Sequence, residues 1–503
     1  NDIQQYRLNR VIVAACSPRM HESTFRNACK EAGLNPYLFE MANIREHCSW
    51  VHPNRRDEAT QKAKDLVKMA VARARFLQPQ EELEVPSNRT ALVIGGGVAG
   101  IQAALDLADT GYKVYLVEKE PTIGGRMAQL DKTFPTMDCS ICILGPKMVE
   151  VSRHPNVTLL TLAEIKEISG YIGNFTVKVY QKPRYVTRDC SACGECAKVC
   201  PVTLPNEFDV GLAYRNAIYI PFPQAVPPVY LIDREACLSR GPIGCHNCYD
   251  ACQLQKQCID FDDQPKEHIL NVGTIIVATG MDALDPSELR EYGYGIYPNV
   301  ITSLEFERLI NAAGPSKGTL IRPSDRKIPR RVAFIQCVGS RALRNGVPYC
   351  SNVCCMNTVK DALLIREHWP STEIYVFYMD IRAFGKGFEA LYRRSREEGV
   401  IYIRGKPSRI IENKDKSLTI LAEDTALGEP VELDADMAIL SIGLVPRKDA
   451  DVIQKLLALA RTEDGFFLEA HPKLKPVDTA IGGVFLAGCV EGPKDIKDSV
   501  TQA

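Results

Sequence analysis

No stretch of this 503-residue chain stays apolar for the roughly 18 residues that a bilayer-spanning helix needs, so a helical membrane protein is not the expectation. The first ten residues, NDIQQYRLNR, are polar and lack the apolar region of a signal peptide. Charge of one sign is missing too. Lys and Arg total 61 against 62 Asp and Glu, with no long run of either, which indicates neither nucleic acid nor an anionic membrane as a partner. With 45% hydrophobic residues the chain can build sizeable cores, and its length suggests two to four domains. The expectation is a soluble, cytoplasmic protein with no membrane span.

What is abundant is cysteine. Nineteen are present, and a chain long enough to build its own cores has little need of a disulfide framework. Nine fall between Cys190 and Cys258 and four between Cys337 and Cys355, a clustering that points to metal.

At the amino end, VIVAAC (11–16) is a β-rich apolar run, and Ser17 and Pro18 suit the N-cap and first position of a helix that stops near Gly33. Apolar residues recur at helical spacing from Asp57 to Leu77, and QPQEELEVPSN then reads as a linker. Residues 1–80 are therefore expected to form a small α/β domain. Cys16, at the strand end, reads either as a ligand or redox thiol or as a small core residue, and Cys29 and Cys48 read as structural.

A second domain, 88–182, opens at Thr90 with a strand, Gly95-x-Gly97-x-x-Gly100, a helix, and a second strand ending at Glu118. The glycines allow a tight turn and close approach of a pyrophosphate to a helix N-terminus, and Glu118 can accept from a ribose hydroxyl. The pair Gly124 and Gly125, followed by Arg126 in PTIGGRMAQL, is typical of FAD-binding flavoproteins with two dinucleotide domains. FAD is the expected cofactor. TIIVATG, ending at Gly280, and MAILSIGLVP (437–446) resemble the segments by which such chains return from their pyridine-nucleotide domain. GGVFLAGCVEGPKDI, containing Gly488, resembles their closing flavin motif, but Cys489 stands where an aspartate is usual.

Residues 183–268 interrupt this pattern. Cys190, Cys193, Cys196 and Cys200-Pro201 make C-x2-C-x2-C-x3-C-P, the bacterial ferredoxin run. A partner run follows at Cys237, Cys245, Cys248 and Cys252 with a longer first gap. By ferredoxin logic one 4Fe-4S cluster takes Cys190, Cys193, Cys196 and Cys252, and the other takes Cys237, Cys245, Cys248 and Cys200. Cys258 is left over. Zinc sites usually join two separated C-x2-C pairs and fit this spacing poorly. Two linked clusters beside a flavin suit electron conduction better than stapling of a subdomain.

The remainder, 269–503, holds at about 325–440 a subdomain of NAD(P) type from which the nucleotide signature is missing. The strand beginning near Val332 should feed a second glycine-rich turn, yet RVAFIQCVGSR offers only Gly339 there. Cys337, Cys350, Cys354 and Cys355 gather instead at a strand end and a helix start, and read as a third cluster or as four buried cysteines. Lys360, about one and a half helical turns further on, reads either as a positive charge near the flavin, stabilising an anionic reduced ring, or as a solvated lysine. Cys139 and Cys142, a C-x2-C beside the flavin domain, read as a redox-active catalytic pair or as structural cysteines.

Taken together, AACSPRMHESTFR, NPYLFEMANIREHCSWVH, the Gly95–Gly100 loop, DCSICILGPKMVEV, the 190–252 cysteines, QCVGSR with YCSNVCCM, and LAGCVEGPKDIKDSV resemble the HdrA family, the iron-sulfur flavoproteins of heterodisulfide reductase. The resemblance covers nearly the whole chain. It implies an α/β core like thioredoxin reductase and glutathione reductase, with two dinucleotide domains and one FAD, an inserted two-cluster ferredoxin domain and a small N-terminal α/β domain. It implies a further 4Fe-4S cluster on Cys337, Cys350, Cys354 and Cys355, and more sequence beyond both ends. It also implies flavin-based electron bifurcation, or confurcation, between a two-electron donor, a low-potential ferredoxin route and a disulfide-reducing partner protein. The setting would be a dimer within a larger complex that includes a hydrogenase or formate dehydrogenase module. The alternatives are a free-standing NAD(P)H-dependent disulfide or polysulfide reductase using Cys139 and Cys142, a component of a quinone-linked relative, and an assembly protein with structural clusters.

Overall fold

The computed structural model describes residues 1–82, 84–241, 243–252 and 258–503; Leu83 of the expected linker and residues 242 and 253–257 of the expected insertion lie outside the described residues. The chain divides into two compact units, Asn1–Pro86 and Ser87–Ala503.

In the first unit the parallel strands Val11–Ala15 and Phe39–Asn43 pair directly, and the helices Pro18–Glu31 and Arg56–Ala74 pack on them. Pro18 opens its helix because the missing N–H of proline costs nothing in a first turn. Cys29 and Cys48 are buried, and the Cys48 thiol donates to the Ala59 carbonyl. Cys16 is half-buried and accepts an N–H from Arg45 at 3.3 Å.

The second unit repeats one plan twice. A five-stranded parallel sheet runs in the order Val484–Leu486, Thr274–Val277, Thr90–Ile94, Lys113–Val117, Val157–Leu160. Another runs Val300–Thr302, Met437–Ile442, Arg331–Val338, Glu373–Tyr378, Ile401–Arg404. Each is accompanied by a three-stranded antiparallel sheet: Ala163–Tyr171, Asn174–Gln181 and Lys266–Val272 in one half, and Arg409–Glu412, Leu418–Asp424 and Glu429–Ala435 in the other. The aliphatic and β-branched runs ALVI, TIIV and VAFI can be buried on both faces, which a parallel sheet requires. This is an α/β fold of two dinucleotide-type domains.

Both insertions leave and re-enter through paired strands. Gln181 and Lys266 face each other in the antiparallel pairing, so the cysteine-rich segment between them departs and returns at one point and leaves the sheet undisturbed. Likewise Met281–Ala283 pairs antiparallel with Leu444–Pro446 and brackets the second domain. No described helix is long and apolar enough to cross a membrane.

The turn that joins the first parallel strand to its helix is tightly packed. A Cβ at Gly100 would come 1.9 Å from the Gly95 carbonyl oxygen. Gly100→Ala must therefore lift the helix Val98–Asp109 off its strand, and should lower stability by about 1–3 kcal/mol, read as a fall in the denaturant midpoint.

Candidate functional site

At the carboxyl end of the first sheet, Gly97 is the N-cap of the helix Val98–Asp109, and a Cβ built there would meet no protein atom within 4 Å. Such an open helix N-terminus receives phosphate well. Gly96 N–H donates to Glu118 Oε2 at 2.6 Å and Glu120 N–H to Glu118 Oε1 at 2.8 Å, which fix the carboxylate at the end of the next strand. Burial pushes its pKa up, opposed by those two N–H groups. Gly124 N–H donates to the Gly96 carbonyl at 2.8 Å and folds the second glycine turn onto the first. Arg126 reaches Gln129 and, at 3.5 Å, Asp282. Gly280 follows the strand Thr274–Val277 with φ +76°. Gly488 N–H donates to Gln502 Oε1 at 2.8 Å, and the Cys489 thiol to the Lys494 carbonyl. A glycine-lined helix N-terminus facing a carboxylate fits a dinucleotide such as FAD.

Lys360 is not a solvated lysine. It is fully buried, paired with Glu307 and with Asp361 at 3.1 Å, and its ammonium donates to the Lys132 carbonyl at 3.2 Å. Burial lowers its pKa, but the two carboxyl groups outweigh this and raise it. Burial, then the proximity of Glu307, pushes Asp361 well above the usual carboxylate range. Glu307 also accepts from Asp131 N–H at 2.9 Å, so the cluster reaches the segment that follows the glycine pair. Glu307 is not a candidate on sequence grounds; only its burial in the helix Ser303–Ile310 distinguishes it.

At the equivalent end of the second sheet a cysteine replaces the glycine turn. The pairing of Arg331–Val338 with Met437–Ile442 shifts register between Ile335 and Val338, and Cys337 sits in that break with φ +57°. A bulge of this kind re-aims a side chain. Cys354 and Cys355 are the first two residues of the helix Cys354–His368. Their thiols form a chain with Cys354 in the middle: its hydrogen bond, helped by Arg341 and Lys406, brings Cys337 down to about 7 against the effect of burial. The same neighbour lowers Cys355, while its bonds to Cys337 and Cys355, together with burial, raise Cys354 well above the usual thiol range. Cys350 is half-buried and accepts from Asn352 N–H at 3.4 Å. Beside Cys337, Gln336 is 2% exposed, and neither end of its amide has a hydrogen-bond partner within the protein. An orphaned buried amide is costly, and a polar group seated at this strand end would relieve it.

Two small cysteine-lined cavities lie among the described residues of the insertion. One is lined by Cys190, Cys193, Cys196 and Cys252. The other is lined by Cys200, Cys237, Cys245 and Cys248. Cys200 and Cys252 thus each cross from their own run to the opposite site, and Ile218 lines both cavities. Cys258, which fits neither run by spacing, is buried and lines the first cavity as a fifth cysteine. Burial and the neighbouring cysteines push Cys196 up to about 12 and Cys248 up to about 11. Thiols kept from ionising by burial, and then by their neighbours, gain most from a cationic centre between them. Among the described residues no three His, Cys, Asp or Glu side chains converge on a point that would hold a single metal ion. Four cysteines spread around a cavity suit a polynuclear iron-sulfur centre, in which each binds a different iron.

Cys139 and Cys142 are joined in a disulfide at the start of the helix Ser140–Arg153.

A family model described as FAD dependent oxidoreductase matches residues 91–137. A CoB–CoM heterodisulfide reductase iron-sulfur subunit of Methanopyrus kandleri is 61% identical over 504 residues, covering 100% of this chain and 76% of the relative. The corresponding subunit of the H(2):CoB-CoM heterodisulfide,ferredoxin reductase of Methanothermobacter marburgensis is 57% identical over 504 residues, covering 100% and 75%. Among solved structures, thioredoxin reductase from T. acidophilum aligns at a TM-score of 0.44 and 12% identity, over 82% of this chain and 95% of that one.

The buried ion cluster makes a sharp test. Lys360→Met leaves Glu307 and Asp361 buried without their cation and should cost about 3–5 kcal/mol of stability in denaturant unfolding. Adding Glu307→Gln removes one of the stranded charges and should restore a large part of that loss.

Proposed function

Because the chain belongs to the HdrA family, the iron-sulfur flavoproteins of heterodisulfide reductase, and is thus part of an oxidoreductase, we propose that it conducts electrons between FAD and iron-sulfur clusters within a heterodisulfide-reductase-type complex. In this reading it splits the electron pair of a two-electron donor between a low-potential ferredoxin route and a disulfide-reducing partner protein, or runs that exchange in reverse. A bound flavin supplies the conversion between paired and single electrons. The name of the Methanothermobacter relative joins hydrogen, heterodisulfide and ferredoxin, which supports ferredoxin and a hydrogenase-type module as partners here.

The observation that carries the reading is the position of Cys337, Cys350, Cys354 and Cys355. Open α/β domains bind their nucleotide at the carboxyl ends of the strands, and here that end presents thiols where glycines would seat NAD(P)H. A one-electron carrier held there would stand where other flavoproteins of this plan place a hydride donor.

The residues divide the work. Gly95, Gly97, Gly100, Gly124 and Gly125 shape the cradle, and Glu118 orients the ribose. Lys360, held by Glu307 and Asp361, anchors the segment following the glycine pair through the Lys132 carbonyl and the Asp131 N–H. Two four-cysteine sites that share Ile218 form a short conduit through the insertion.

Metal and flavin content test this directly. Anaerobically purified protein should carry about twelve irons per FAD, falling to about eight in a Cys354→Ser/Cys355→Ser variant. Reduced ferredoxin should bleach the flavin and NADPH should not. About eight irons in both proteins, with bleaching by NADPH, would instead describe a simple pyridine-nucleotide reductase.

A further inference from the structure

The Cys139–Cys142 disulfide has no part in that conduit, and three observations argue against a purely structural role. As a staple it does less than a long-range bridge: its cysteines are three residues apart, and a loop that short constrains the unfolded chain less than a long one. It is also accessible. Cys142 is exposed and Cys139 half-buried, and accessible disulfides are the exchangeable ones. Third, it is tied to the flavin cradle from two sides. Ser140 Oγ donates to the Met127 carbonyl at 2.7 Å, within the turn that begins at Gly125. Cys139 bridges to Lys132, whose carbonyl accepts from the buried Lys360 ammonium.

The local geometry also provides for the reduced form. Cys139 is the N-cap of a fourteen-residue helix, and its sulfur accepts the Cys142 N–H at 3.2 Å. A thiolate at that place is stabilised by the N–H and by the helix dipole, and the exposed Cys142 is the sulfur that another molecule can reach.

We propose that Cys139 and Cys142 form a second redox centre, a dithiol/disulfide pair that takes two electrons from the reduced flavin and passes them to disulfide substrates through Cys142. The inference rests on the flavin reading above. In the reductive half, two electrons and two protons break the Cys139–Cys142 bond and leave two thiols, with the flavin oxidised. In the other half, the Cys142 thiolate attacks a disulfide R–S–S–R, forming a mixed disulfide and expelling one RS⁻. The Cys139 thiolate then attacks the Cys142 sulfur, re-forming the internal disulfide and expelling the second RS⁻. Both leaving thiolates take up the protons given up by the two cysteines.

The test uses the anaerobic holoprotein, photoreduced, trapped with N-ethylmaleimide and mapped by peptide mass. Cys139 and Cys142 should label only after reduction, and become unreactive again on adding bis(2-hydroxyethyl) disulfide or insulin, which separate small-molecule from protein substrates. Cys139→Ser should accumulate a mixed disulfide on Cys142, and Cys142→Ser should form none, with FAD and iron contents unchanged in both. A pair that stays unlabelled although the flavin is reduced, or that labels but is not reoxidised by either disulfide, overturns the proposal. If no FAD copurifies, the flavin reading is what has failed. Dithiothreitol then replaces light, and a pair that resists it in the folded protein, or that neither disulfide reoxidises, still overturns the thiol chemistry.

Discussion

The proposed function rests on one structural constraint, a register break at the end of the strand Arg331–Val338. At that break Cys337 is in the left-handed region, and its thiol hydrogen-bonds Cys354 at the start of the following helix. A non-glycine residue in that conformation is strained by about 1–2 kcal/mol, and the surrounding sheet, buried on both faces, has to hold it there. In a dinucleotide fold the same junction would carry glycines and admit a pyrophosphate. Here it carries sulfur. Under the proposed function the second half of the fold keeps its architecture while its chemistry changes from hydride donor to electron carrier.

The rest of the second unit supports that exchange electrostatically. Two groups near the domain junction are costly in isolation: the Lys360 ammonium with its carboxyl partners, and the orphaned amide of Gln336. Buried charge of this kind is a poor source of stability compared with apolar packing, so its presence beside the flavin cradle and the third cysteine group fits a functional requirement. The insertion solves a related problem differently. Burial and neighbouring cysteines disfavour ionisation of Cys196 and Cys248, and a polynuclear iron centre held there would supply the missing positive charge.

Much of this is legible in the amino-acid sequence, and the limits are physical ones. Short-range spacing reveals the Gly95–Gly100 loop and the ferredoxin run because turn geometry and ligand reach are local. The crossing of Cys200 and Cys252 between sites is also accessible, since C-x2-C-x2-C-x3-C-P is the bacterial ferredoxin run, whose fourth thiol ligates the other cluster. Glu307 stays hidden because its neighbours Phe306 and Leu309 are those of an ordinary amphipathic helix, and nothing local says that the polar side is buried too. Lys360 has two readings for the same reason. Cys258 matches no ligand pattern by spacing, yet the chain brings it back to the first cavity.

The central claim is that thiols, and through them iron, occupy the place of a second nucleotide. Anomalous diffraction at the iron edge, from crystals of the anaerobically prepared holoprotein, tests it most directly. The account predicts iron density within bonding distance of Cys337, Cys350, Cys354 and Cys355, in addition to two centres in the insertion. Iron confined to the insertion, with those four cysteines free and a pyridine nucleotide binding at the end of Arg331–Val338, would contradict it.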